Sequence, residues 1–270
     1  MSSTPQTISL LCPTRGRPEK ALKFCRSVLE TARRPQRVEI LLYLDADDPR
    51  RSQYLQLFRD RQSDFDRLWR CAFVIGEQMS ISNAWNELAK RCRGNLLIMA
   101  ADDQLYNDRG WDDRLDTETA KYPDEIFCMW FNEGHWQDRL CTFPIVSRKW
   151  CQTLGYFTTG LFECLYDDMW IWEIAKRVGR THYIGDILTE HFHWSYGKGD
   201  IDETYARKQV DPNSRQLKAA VYRDMDLYCR TAPYRATDAR RIAAVMQGEV
   251  RLQEVPLMVP GKATIFEGAQ

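Results

Sequence analysis

Short apolar runs alternate with stretches whose apolar residues recur every three or four positions, and this alternation fills the N-terminal part of the chain. Residues 7 to 12 (TISLLC) are an apolar run stopped by PTRGRP, and from Glu19 to Ala32 the positions Ala21, Leu22, Phe24, Cys25, Val28 and Leu29 follow helical spacing. This predicts strand, loop, helix. The pattern returns in VEILLYL (38 to 44), the acidic loop DADDP, and a polar helix-like stretch from about Ser52 to Leu68. CAFVI (71 to 75) is a third strand, and a helix capped by Ser80 or Ser82 runs through Ala84, Trp85, Leu88 and Ala89 towards Gly94. NLLIMA supplies a fourth strand. Such alternation predicts an α/β fold with a mostly parallel central sheet between helical layers.

The second half changes character. EIFCMWF (125 to 131), LCTFPIV (140 to 146) and ILTEHFHW (187 to 194) are strand-like, while DMWIWEIAKRVG reads as a helix ended by Gly179. A helix is expected from about Asp202 to Tyr228 and another from Ala236 to Val245, with an irregular tail after Pro256.

Composition narrows the function classes. Lys plus Arg (38) equals Asp plus Glu (38), so no overall positive field draws the chain onto nucleic acid or acidic membranes. The N-terminal apolar stretch is too short for a signal sequence and nothing later approaches a membrane span, which implies a cytoplasmic protein. The nine cysteines are scattered with no C-x-x-C pair and are read as reduced, small hydrophobes.

In an open α/β sheet the working groups lie beyond the carboxyl ends of the strands, so PTRGRP, DADDP and AADDQ are expected on one rim. They carry Arg15 and Arg17, then Asp45, Asp47 and Asp48, then Asp102 and Asp103. Arginines suit phosphates and carboxylates suit metals or ribose hydroxyls, a combination that fits a nucleotide diphosphate with its cation. Neither a P-loop motif nor G-x-G-x-x-G is present. Each acidic group also has a plainer reading, as turn former or helix cap.

These residues resemble the GT-A fold glycosyltransferases, nearest to the family 2-like group, over roughly residues 7 to 200. The resemblance is carried by ISLLCPTRGRP, the second-strand acid in YLDADD, and NELAKRCRGNLLIMAADD, where Asn86, Gly94 and the 101 to 103 triplet keep the family's spacing. One departure is Ala101, where the family's Asp-x-Asp metal motif has its first acid. The resemblance implies a Rossmann-like GT-A domain over 1–200, divided into a nucleotide-binding half (1–110) and an acceptor half (111–200), with a C-terminal helical extension over 201–270. It further implies a divalent cation, Mn or Mg, held by Asp103 with His193, the first choice, or His191. Pro13, Thr14, Arg15, Arg17, Asn86 and Asp102 fall on the donor side, and Asp45, or Asp47 if the register slips, meets the base, uracil by expectation. Asp168, with Asp167 as runner-up, is the implied general base at the acid pair opening a helix in YDDMWIWEIAKRVG.

The implied reaction moves a sugar from a nucleotide-sugar donor, a UDP-sugar by expectation, to an acceptor hydroxyl with inversion. Trp136 and Trp194 are candidate acceptor walls, since aromatic faces bind sugar rings, although such rings also cover ordinary surfaces. The acceptor is a glycan or lipid-linked sugar, or a hydroxymethylated pyrimidine in DNA; for DNA, Arg230, Arg235, Arg240 and Arg241 offer a phosphate-binding stripe, whose plainer reading is a solvated helix face. Two alternatives stand beside it. Ala101 supports an inactive nucleotide-sugar-binding protein, and a nucleotidyltransferase shares the sheet and the metal, but PTRGRP lacks that class's first-loop lysine.

Overall fold

The computed structural model describes residues 6–249 and the backbone of Thr264–Glu267. The chain runs β1 (Ile8–Thr14), α1 (Pro18–Thr31), β2 (Val38–Asp45), α2 (Arg51–Arg59), α3 (Gln62–Phe65), β3 (Arg70–Gly76), α4 (Ile81–Arg91), β4 (Leu96–Met99), β5 (Gln104–Tyr106) and α5 (Trp111–Thr119). It continues with β6 (Cys128–Asn132), β7 (Ile145–Ser147), α6 (Arg148–Leu154), α7 (Asp167–Arg177), β8 (Thr181–His191), α8 (Glu203–Lys208), α9 (Ala219–Arg230), α10 (Ala232–Met246) and β9 (Thr264–Glu267).

The strands form one sheet in the order β5-β8-β6-β7-β4-β1-β2-β3-β9. β3, β2, β1 and β4 are mutually parallel, and antiparallel β7 joins this block to the parallel pair β6 and β8. Apolar side chains alternate between the two faces of the central strands, as the two-residue period of a strand requires. Leu10, Ile40, Leu42 and Ile98 pack against α1, α2 and α5, whereas Leu11, Leu41, Leu97 and Met99 meet α4, α6, α7 and α10. The result is the three-layer α/β arrangement expected from the sequence.

Strand order reverses at β1, which has β2 on one side and β4 on the other. The loops leaving β1 and β4 therefore diverge and open a crevice at their carboxyl ends. Trp85 of α4 fixes this point, its indole N–H donating to the carbonyls of Leu11 (3.0 Å) and Ala100 (3.3 Å).

Several boundaries differ from the expected ones. The helix expected over Asp202 to Tyr228 is two, α8 and α9, separated by a bridge between Val210 and Leu217. The strand expected at 140 to 146 is confined to Ile145–Ser147, and β8 begins at Thr181 rather than 187 and ends at His191, short of His193 and Trp194. β5, α5 and α6 were not foreseen. The tail is not wholly irregular, since Thr264–Glu267 pairs antiparallel with β3; the rest of it lies outside the described residues. No helix among the described residues is long and apolar enough to cross a membrane.

Candidate active site

The crevice at the switch point is a cleft of ≈ 510 Å³, lined by the loops after β1 and β4, the end of β8 and the segments flanking α7 and α8. The loops after β1, β2 and β4 meet there. Arg15 donates to Asp45 (2.8 Å) and Asp47 (2.5 Å), and Asp48 accepts from the Gly16 amide (2.8 Å). Burial pushes the Asp45 carboxyl up against the pull of Arg15.

The acid pair after β4 is buried and fully engaged. Asp102 accepts from Thr14 (2.7 Å) and from the Arg17 guanidinium (2.9 Å), which also reaches Asp103 (3.5 Å) and Asp202 (2.7 Å). Asp103 accepts from His191 Nε2 (3.2 Å) and from the Tyr205 hydroxyl. Burial alone would raise both carboxyls. It does so for Asp102, whereas the bonds from His191, Arg17 and Tyr205 outweigh it and hold Asp103 well below the usual carboxylate range.

His191 and His193 lie together, ring centroids 5.2 Å apart, although the strand has ended between them. His191 faces Asp103. His193 caps the short turn 194–196, pairs through Nδ1 with Ser195 Oγ (2.7 Å), and is pushed down to about 4 by burial and by His191, which leaves it neutral near pH 7.

A divalent cation fits this pair. Two ligands at right angles on a six-coordinate ion, each about 2.1 Å from it, lie about 3 Å apart. The separation of Asp103 Oδ1 and His191 Nε2 is 3.2 Å. Among the described residues no group of three or more His, Cys, Asp or Glu is placed to hold a metal ion.

Asp167 and Asp168 open α7 and line the same cleft. Asp167 is buried and accepts from Ser82 (2.6 Å), with its other oxygen unpartnered. Asp168 keeps some solvent contact and accepts from the Met169 amide (2.7 Å). Burial pushes its carboxyl up to about 7, against the pull of that amide. Asp168 is the second residue of α7, whose N-cap is Tyr166 and has no side-chain cap bond, so the acid pairs with a first-turn amide rather than capping the helix.

Trp136 and Trp194 also line the cleft, the first donating to Tyr196 (3.0 Å), the second to Gln209 (3.4 Å). Asp47 and Asn86 do not line it. Asn86 instead clamps the loop after α6, accepting from the amides of Phe157 (3.1 Å) and Thr158 (3.0 Å) and donating to the Thr158 carbonyl (2.8 Å). Gly94 sits against β1, where an added Cβ would lie 2.7 Å from the Ser9 nitrogen.

Of the four late arginines three pair with acids, while Arg240 is exposed and donates to Thr237 (2.9 Å). Arg235 is buried, its guanidinium over the Tyr228 ring (3.9 Å) and paired with Glu173 (2.5 Å), while Arg230 and Arg241 pair with Asp226 (2.9 Å) and Asp238 (3.6 Å). All nine cysteines are free.

Sequence reasoning missed the residues that reach the site from α8. Asp202, its N-cap, holds Arg17 and Lys20, Thr204 donates to the Arg15 carbonyl (2.7 Å), and Tyr205 closes on Asp103. An Asp before a short helix signals a cap, and nothing local names its partner.

By sequence the chain matches no described protein family and no curated protein. By structure it is similar to the mannosyltransferase PcManGT from Pyrobaculum calidifontis in complex with GDP-Man and Mn2+, with a TM-score of 0.55 and 13% identity over 94% of this chain and 78% of that one. It is also similar to S. aureus TarS 1-349 in complex with UDP (TM-score 0.51, 11% identity, 98% of this chain and 100% of that one). The complex of TarS 1-349 with UDP-GlcNAc matches at a TM-score of 0.50 and 14% identity, over 69% and 59% of the two chains. The chain therefore has the GT-A-like fold of nucleotide-sugar glycosyltransferases.

Proposed function

We propose that the protein is a metal-dependent glycosyltransferase that moves a sugar from a nucleotide diphosphate sugar, in the first instance a UDP-sugar, to an acceptor hydroxyl with inversion. One observation carries this reading. Two carboxyls line one cleft in unlike settings: Asp103 is tied to His191, Arg17 and Tyr205, whereas Asp168 accepts only from the Met169 amide and is pushed up to about 7 by burial. Such unlike settings support a charge-holding role for the first and proton transfer for the second.

Asp103 and His191 would hold the cation, with His193 behind them. When bound, that ion supplies Lewis-acid stabilisation of the leaving diphosphate. Arg15 adds a guanidinium to the donor end and Asp45 faces the base, with Asp47 its exposed neighbour. Pro13, Thr14 and Asp102 shape the floor, and Arg17 fixes Asp102 and Asp103 relative to each other. Asp168 takes the acceptor's proton as its oxygen attacks, which gives inversion in a single displacement. Trp136 and Trp194 wall the acceptor side. With Arg235 buried and Arg230 and Arg241 paired with acids, a glycan is favoured over a hydroxymethylated pyrimidine in DNA as acceptor.

Heat of binding for UDP, with and without Mn, on the parent and on Asp103→Ala tests the proposal, with GDP as comparator. Binding that needs both the ion and Asp103 is expected. Absence of metal-dependent binding to either nucleotide would overturn it.

A further inference from the structure

The segment that delivers Asp168 to the cleft is held by a helix that follows it in the chain. Tyr166, immediately before α7, has φ 77 and ψ −1, a left-handed conformation that a bulky side chain adopts only where its surroundings enforce it. The enforcement comes from α9. Asp224, completely buried, accepts from three consecutive amides: Glu163 (3.0 Å), Cys164 (2.8 Å) and Leu165 (3.1 Å). Convergence of successive N–H groups on one anion fixes the backbone that carries them. Four residues on, and so on the same face of the helix, Tyr228 stacks on the Tyr166 ring with centroids 5.1 Å apart and planes at 26°. Its hydroxyl donates to Glu173 of α7 (2.7 Å).

Asp168 depends on that backbone. Its carboxylate accepts from the neighbouring Met169 amide, and among the described residues no other side chain bonds to it. Where it stands in the cleft is therefore decided by residues 163–167, pinned on one side by Ser82 through Asp167 and on the other by α9. We propose that Asp224 and Tyr228 are positioning residues for the general base, so that the C-terminal helices complete the catalytic site. This rests on Asp168 being the base, as assigned above.

The test combines amide exchange with turnover. In Asp224→Ala the amides of 163–165 should lose protection while those of β1 and β4 keep theirs; unchanged exchange there overturns the proposal without any substrate. UDP release from UDP-glucose or UDP-N-acetylglucosamine, whichever the parent turns over faster, should fall about a hundredfold in kcat with donor KM within about twofold, since a displacement near 1 Å is enough for such a loss. Asp224→Asn, which keeps one acceptor oxygen, should recover part of it, and Tyr228→Leu offers a milder lesion should Asp224→Ala fail to fold.

The decisive readout is the double variant Asp168→Asn/Asp224→Ala. If Asp224 acts through Asp168, the pair is no slower than Asp168→Asn alone. A further drop of the full single-variant factor overturns the positioning role. Parental turnover in Asp168→Asn would instead sink the base assignment itself, whatever Asp224 does.

Discussion

Replacing Asp168 with asparagine removes a charge and almost no volume, and the new side chain still has an oxygen for the Met169 amide. Its carboxyl titrates near 7 rather than near its ordinary value of 3.8 because burial disfavours the charged form. At 1.36 kcal/mol per pH unit this places about 4 kcal/mol against the ionised group, and its partial solvent contact argues for about half of that in practice. The direction follows from proton binding. The folded chain holds this proton more tightly than the unfolded one, so the parent loses stability as pH rises from about 4 to about 7 and stays low above that range.

Asp168→Asn escapes this loss. Urea unfolding without metal should show the two proteins equal at about pH 4, and the variant more stable by about 2 to 4 kcal/mol at about pH 8. The other carboxyls are common to both, and the adjacent Asp167, which the Asp168 charge helps to raise, is the one whose titration the substitution also changes. Turnover should move the other way: the parent gains activity as pH rises through about 7, when the base loses its proton, and the variant keeps only a low residual rate that does not rise through that range. A stability difference independent of pH would refute the reasoning, because it would mean that Asp168 does not ionise against burial.

His191 and His193 are separable. His191→Gln should weaken Mn-dependent UDP binding by at least about tenfold, and His193→Gln by less, since His193 is turned to Ser195; calorimetry showing the reverse order would reassign the ligand. Gly94→Ala should destabilise the fold by about 1 to 3 kcal/mol, because the added carbon meets the Ser9 nitrogen at 2.7 Å and the Ile8 carbonyl carbon at 2.9 Å, backbone atoms that cannot swing aside. An unchanged unfolding midpoint would show that β1 yields there.

The parallel half of the fold was legible because its signals are local. β1, β2, β3 and β4 are apolar runs closed by turn residues, and α4 carries its cap in Ser80, whose oxygen accepts from the Asn83 amide. What escaped was short or polar. WDDRLDTET buries Trp111 and Leu115, yet most of it is charged or polar, and β5 has three residues, too few for any period to show. The break between α8 and α9 was legible, since Pro212 with Asn213 and Ser214 cannot continue a helix, whereas Arg215 beside them takes φ 57 without a glycine to announce it. Asn86 and Gly94 were visible as spacing alone; the structure gives them causes, a clamp on the loop at 157–158 and room for β1.

The acids of the site could be placed from sequence because strand ends place them, but their partners could not, because Asp103 meets Tyr205 and His191 only after the second half has folded back over the first. The same contacts bear on Ala101. Arg17 already serves three carboxylates, Asp102, Asp103 and Asp202, from a buried position where each further charge is costly to leave unpaired. Alanine at 101 adds no further carboxylate to that cluster, and Asp103 remains the one whose ionisation His191, Arg17 and Tyr205 together secure.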